Sequence, residues 1–261
     1  MNRIEERMAL LKQKNEKAFI TYMTAGLPDM EGTKELIRAQ EEAGVDVIEL
    51  GIPFSDPIAD GPVIQAASYK SICLGTNLKK VFQLMEEIRS EGVKLPVIFM
   101  MYYNTILKYG IEAFVKKCRT AGVDGLIVPD LPFEEQQALQ EALDKEDGAI
   151  LIQLVSPVSA ERIPTLLEHA RGFVYCVSSM GVTGQAGAFH EKIIQYLSEV
   201  KQISKIPVMM GFGIRTPEDI APMRDIIDGA IVGSHFIQLL EQSDYSSSAA
   251  KEYCSNFKQN I

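Results

Sequence analysis

Eight apolar, β-branched runs, each followed by about one helix length, predict an α/β fold: a closed parallel (β/α)8 TIM barrel. The runs begin near Ala18, Val45, Pro96, Asp124, Ala149, Phe173, Pro207 and Asp228. Between them, apolar residues recur at helical spacing and stop at a glycine. A doubly wound open sheet is the main alternative arrangement of such units. The chain has 261 residues, enough for two domains, yet barrels of this kind reach that size as one. No low-complexity linker divides it, so residues 1–261 are read as a single domain.

The first element is an extra N-terminal helix, because Ile4, Met8 and Leu11 fall on one face ahead of the strand at Ala18. The run from Val45 is a buried strand into which Asp46 and Glu49 intrude. After Gly51 come Pro53, Pro57 and Pro62 with Asp56 and Asp60, too many breakers for strand or helix to continue. Glu49 therefore closes the strand, and Asp60 sits in a stiff loop over the same end. A carboxylate at the tip of an apolar strand is costly unless paired or put to use. Capping an element or meeting a lysine is the plain alternative for each.

Leu78, Val81, Phe82, Met85 and Ile88 line one helix face, with Thr76 or Asn77 as cap and Gly92 past the end. Ile111, Phe114, Val115 and Cys118 repeat the pattern before Gly122, and glycines also close the helices before Val45, Ala149 and Phe173. Ala43-Gly44-Val45-Asp46 recurs as Ala121-Gly122-Val123-Asp124, an echo too short to establish duplication. The longest intervals between strands follow strands two and six, so those two loops are elaborated. Loops at the carboxyl ends of strands build the active site of a barrel, and both insertions point at one mouth.

Gly211 and Gly213 follow strand seven; Gly233 and Ser234 follow strand eight and open a short helix. Glycines there let backbone approach a ligand, and free N–H groups at the helix start favour a phosphate. A simple need to turn is the other reading. The loop after strand six, residues 178–187, holds Gly181, Gly184 and Gly187 and reads as a lid, or as a plain surface loop.

With 26 basic and 35 acidic residues the net charge is −9, which disfavours nucleic acid and anionic membrane as partners. No apolar stretch approaches a membrane span and the N-terminus is no signal peptide. Cys73, Cys118, Cys176 and Cys254 are scattered and read as reduced packing residues of a cytoplasmic protein. His169, His190 and His235 are too dispersed for a metal site.

The string E-L-G-I-P-F-S-D-P-I-A-D-G-P from Glu49 is highly specific. With Thr24-Ala25-Gly26-Leu27-Pro28-Asp29, Met101-Tyr102-Tyr103-Asn104, Pro129-Asp130-Leu131-Pro132, Gly181-Val182-Thr183-Gly184 and Gly211-Phe212-Gly213-Ile214, it resembles the tryptophan synthase alpha-chain family over nearly the whole length. The resemblance implies a lyase that cleaves indole-3-glycerol phosphate to indole and glyceraldehyde 3-phosphate, with Glu49 and Asp60 catalytic. It implies that Tyr22, Met100, Ile127, Tyr175 and Phe212 line an indole pocket, for which barrel core is the alternative. Thr183 would orient Asp60, and Gly184, Gly213, Gly233 and Ser234 would hold the phosphate. It further implies a beta subunit carrying pyridoxal phosphate, no cofactor on this chain, and an assembly of two alpha and two beta chains. Pro53, Asp56, Pro57, Asn104 and Pro132 would meet that partner. A phosphosugar isomerase and a non-catalytic activating subunit are the competing functions. An aldolase using a Schiff-base lysine is disfavoured, because Lys94 and Lys205 precede their strands.

Overall fold

The computed structural model describes residues 2–177, 186–211 and 213–261. Its strands are β1 (Ala18–Thr24), β2 (Val47–Gly51), β3 (Val97–Met100), β4 (Gly125–Ile127), β5 (Ile150–Leu151), β6 (Gln153–Val155), β7 (Val174–Cys176), β8 (Val208–Met210) and β9 (Gly229–Val232). All pairs are parallel, in the order β5-β4-β3-β2-β1-β9-β8-β7-β6. The two ends of that order, β5 and β6, are halves of one strand interrupted at Ile152, so the sheet closes on itself as a (β/α)8 barrel. Every expected strand is present. The fifth is split because its first half pairs with β4 and its second with β7.

The helices are α1 (Arg3–Lys14), α2 (Met30–Glu42), α3 (Pro62–Cys73), α4 (Leu78–Ser90), α5 (Tyr103–Tyr109), α6 (Ile111–Ala121), α7 (Gln137–Glu146), α8 (Ile163–Leu167), α9 (Ala186–Ile203), α10 (Ser234–Gln242) and α11 (Ser247–Asn260). The extra length after β2 is a loop followed by an additional helix, α3. Part of the length after the sixth barrel strand is the 18-residue α9; the lid reading falls on residues 178–187, of which 178–185 lie outside the described residues. Asn77 caps α4 by accepting from the Lys80 N–H, and Gly92 and Gly122 take positive φ beyond α4 and α6. The turn after α7 departs from the pattern: Asp147, at φ 46°, takes the left-handed position expected of Gly148. The one-turn-and-more α5 was not expected. Cys73 is exposed at the end of α3, so it does not pack as the three other cysteines do.

At the amino ends of the strands, three buried or half-buried aspartates tie the barrel together. Asp46 accepts the Phe19 N–H at 2.6 Å, Asp124 that of Val97 at 2.9 Å, and Asp228 that of Val208 at 2.7 Å. Each also meets cations: Arg7 and Lys258 at Asp46, Arg3 and Arg89 at Asp124, Lys201 at Asp228. The repeated Ala-Gly-Val-Asp turn is the sequence trace of this device in two of its three copies. Helix α1 covers the same end. Its Ile4, Met8 and Leu11 pack on Ile20, Val47, Ile98 and Ile127 inside the barrel, and Met100, Leu154 and Tyr175 continue that apolar column upward.

Among the described residues no helix is long and apolar enough to cross a membrane, and no group of three His, Cys, Asp or Glu is placed to hold a metal ion.

Candidate active site

Strand β2 has one carboxylate just before its start and another at its middle residue, and the two meet opposite fates; Glu49 does not close the strand as its sequence suggests, because pairing with β1 and β3 carries on through Leu50 and Gly51. Asp46 is fully buried and satisfied by two cations and a main-chain amide. Glu49, three residues on, is also 0 % exposed, yet neither carboxyl oxygen has a hydrogen-bond partner among the described residues. Burial alone pushes the Glu49 carboxyl up to about 8. The plain reading fits Asp46; Glu49 is an acid held protonated at neutral pH in a place where nothing in the fold uses it.

Glu49 faces a cavity of about 760 Å³ at the carboxyl ends of the strands. Asp60 lines the same cavity from the loop between β2 and α3. That loop is pinned at several points. The Phe54 N–H donates to Ser68 Oγ on α3, which donates back to the Phe54 carbonyl. Gln65 Nε2 donates to the Asp60 carbonyl at 2.9 Å, and the rings of Phe54 and Tyr102 stack with centroids 4.9 Å apart. Tyr102 Oη then accepts from the Ala59 N–H at 2.9 Å and donates to Asp60 Oδ2 at 2.8 Å. Burial raises the Asp60 pKa, and the Tyr102 hydroxyl opposes that rise. Asp60 is thus half-buried rather than in the open polar loop its prolines and aspartates suggest. Its partner among the described residues is Tyr102, from the Met101-Tyr102-Tyr103-Asn104 stretch after β3.

Tyr22, Met100, Ile127 and Tyr175 line the cavity with Glu49, joined by Ile64 and Leu154. Ile127 belongs at once to the barrel's interior column, so cavity floor and core are one surface here. Two tyrosines sit where they do because glycines leave room. A Cβ on Gly51 would come within 2.0 Å of Tyr22 Oη, and one on Gly211 within 2.4 Å of the Tyr175 ring.

Gly213, at φ 69°, and Gly233 and Ser234 line the other end of the cavity. Gly233 is the N-cap of α10 and offers no side-chain cap, so the first amides of the helix face outward with the positive end of its dipole. Thr183, Gly184 and Phe212 lie outside the described residues. Arg215, His235 and Gln238 also reach this end; only their proximity to the glycine pairs marked them in sequence. Pro53, Asp56, Pro57, Asn104 and Pro132 do not line the cavity. Pro53, Asp56 and Pro57 lie on the loop after β2 and Pro132 on the segment after β4, whereas Asn104 sits in the first turn of α5 rather than on a loop; Asp56, Asn104 and Pro132 are exposed.

A parallel barrel whose mouth brings two carboxylates in unlike surroundings to one cavity, opposite a bare helix N-terminus, is an enzyme barrel equipped for acid–base work on an anionic substrate. Comparison with known proteins narrows the class. The family described as "Tryptophan synthase alpha chain" matches residues 8–261. The tryptophan synthase alpha chain of Lachnospira eligens is 63% identical over 262 residues, covering 100% of this chain and 99% of that one. That of a Thermoanaerobacter species is 44% identical over 252 residues, covering 97% and 95%. The crystal structure of tryptophan synthase subunit alpha from Legionella pneumophila superposes with a TM-score of 0.91 at 35% identity, covering 100% of this chain and 98% of that one. The chain belongs to the tryptophan synthase alpha-chain family, and its role is that of the alpha subunit in tryptophan biosynthesis.

Proposed function

We propose that the chain cleaves indole-3-glycerol phosphate to indole and glyceraldehyde 3-phosphate in a retro-aldol step. The observation that carries this reading is a fully buried Glu49, unpaired among the described residues, lining the same cavity as Asp60. Cleavage breaks the bond between the indole ring carbon and the glycerol chain. A proton must reach that ring carbon and another must leave the neighbouring chain hydroxyl, which becomes the aldehyde. Glu49, protonated at neutral pH, delivers the first and, as carboxylate, takes the second, so no net proton is consumed. Asp60, held by Tyr102, accepts the indole N–H as positive charge develops on the ring.

In this reading Tyr22, Met100, Ile127, Tyr175 and Phe212 enclose the indole. Gly184, Gly213, Gly233 and Ser234 hold the phosphate, and Thr183 aids Asp60. The step uses side chains of this chain alone; pyridoxal phosphate belongs to a beta subunit that docks on the rim bearing Pro53, Asp56, Pro57, Asn104 and Pro132. Ile58 is 84% exposed on that rim, which suits a surface that becomes covered. The two chains work together in the cytoplasm as two alpha and two beta chains.

The test is incubation of the purified chain with indole-3-glycerol phosphate, alone and with a beta subunit, measuring indole and co-elution. Indole release that rises with the beta subunit supports the reading; silence in both conditions overturns it. Two variants probe the support of the site. Tyr102→Phe removes the donor to Asp60 and the acceptor of the Ala59 amide, and is expected to lower kcat about tenfold, the worth of one charge-assisted hydrogen bond. Gly211→Ala drives the Tyr175 ring aside and is expected to lower kcat/KM by roughly tenfold or more, read from the same assay.

A further inference from the structure

We propose that Arg215 is the side-chain cation of the cavity's phosphate end and sets selectivity for a phosphorylated substrate over its dephosphorylated counterpart, an inference that rests on the lyase reading above. Arg215 lies two residues beyond Gly213 and lines the cavity with Gly233, Ser234 and His235. Its main chain is tied on both sides: the N–H donates to Asp219 Oδ2 at 2.8 Å, and the carbonyl accepts from Tyr253 Oη at 2.6 Å. Arg215 is exposed, and its guanidinium makes no ion pair or hydrogen bond among the described residues, so among them its charge is uncommitted.

The electrostatic setting requires such a group. The chain carries a net charge of −9, and of the two acidic residues lining the cavity Glu49 is protonated, which leaves Asp60 as the one able to repel an anion. A phosphate monoester therefore approaches against an unfavourable field unless something local reverses it. Helix α10 contributes a partial charge only. His235 does not fill the gap, because burial and the nearby Arg215 charge both lower its pKa. Arg215 is the one permanently charged cation lining the cavity among the described residues.

The experiment compares the full chain with Arg215→Ala and Arg215→Lys on indole-3-glycerol phosphate and on indole-3-glycerol, and measures inorganic phosphate binding by calorimetry. For Arg215→Ala the expected result is a KM for the phosphorylated substrate raised about tenfold with kcat within about twofold, and no change with indole-3-glycerol. Phosphate binding weakens by a similar factor, and Arg215→Lys recovers most of both. Unchanged KM and unchanged phosphate affinity in Arg215→Ala overturn the proposal. A parent chain that releases no indole either alone or with a beta subunit refutes the lyase reading instead. Phosphate affinity then still decides the role of Arg215, supported by weaker binding in Arg215→Ala and overturned by equal or absent binding.

Discussion

Glu49→Gln is expected to lower kcat by about 10³-fold or more while leaving inorganic phosphate binding unchanged, because the amide keeps the shape of the acid and can neither give nor take the proton. With the carboxyl titrating near 8, the parent enzyme is expected to lose activity as pH rises past that value, since cleavage begins with the protonated form. The same variant changes stability in a defined direction. The folded-state value lies above the ordinary 4.5, so the native protein holds an extra proton between those two limits. The favourable contribution of the protonated acid is complete below about pH 4.5 and is lost as pH rises through about 8. Glu49→Gln escapes that loss. Urea denaturation at pH 5.5 and 8.5 should show the variant gaining on the parent with pH, by roughly 3–5 kcal/mol at most. Parallel stability curves, or turnover within tenfold of the parent, would remove Glu49 from the mechanism.

Asp60→Asn should cost about 10²–10³-fold in kcat with little change in KM. Asparagine keeps an oxygen for the Tyr102 hydroxyl at the place where Oδ2 now accepts it. On the proposed reaction, what disappears is the negative charge that meets the indole N–H as the ring becomes cationic. The loss thus falls on the transition state more than on the bound substrate. Because Asp60 is only half-buried and sits on a loop, unfolding in urea should move little. A variant that kept a third of parental turnover would show that charge at this position is dispensable.

The barrel is legible because its repeat is long and regular: each apolar run marks a strand buried on both faces, and α2, α4 and α6 stop at Gly44, Gly92 and Gly122. The split at Ile152 left no mark, since a break in pairing changes hydrogen-bond partners and not side-chain hydrophobicity. Helix α5 was hidden for a related reason. Tyr103 to Tyr109 is too short to build a periodic pattern, and its first amide is met by the Asp130 carboxylate, 27 residues away. Asp46 and Glu49 look alike in sequence, as two acids in one apolar run. Arg7 from α1, Lys258 from α11 and the Phe19 amide of β1 distinguish them, and no local reading contains those partners. Tyr102 carries no local sign of its role because its bond to Asp60 bridges 42 positions. The glycines at 51 and 211 tell the reverse story: the room they leave belongs to Tyr22 and Tyr175, whose positions come from other strands.

The apolar column inside the barrel joins the N-terminal helix to the cavity floor without a gap: Ile4, Met8 and Leu11 below, Ile98 and Ile127 between, Met100 and Tyr175 above. Interiors packed near crystal density pass displacements on rather than absorbing them. Trimming a methylene from Ile4, Met8 or Leu11 at the bottom is therefore expected to loosen Met100 and Tyr175 on the cavity floor, although neither end touches the other.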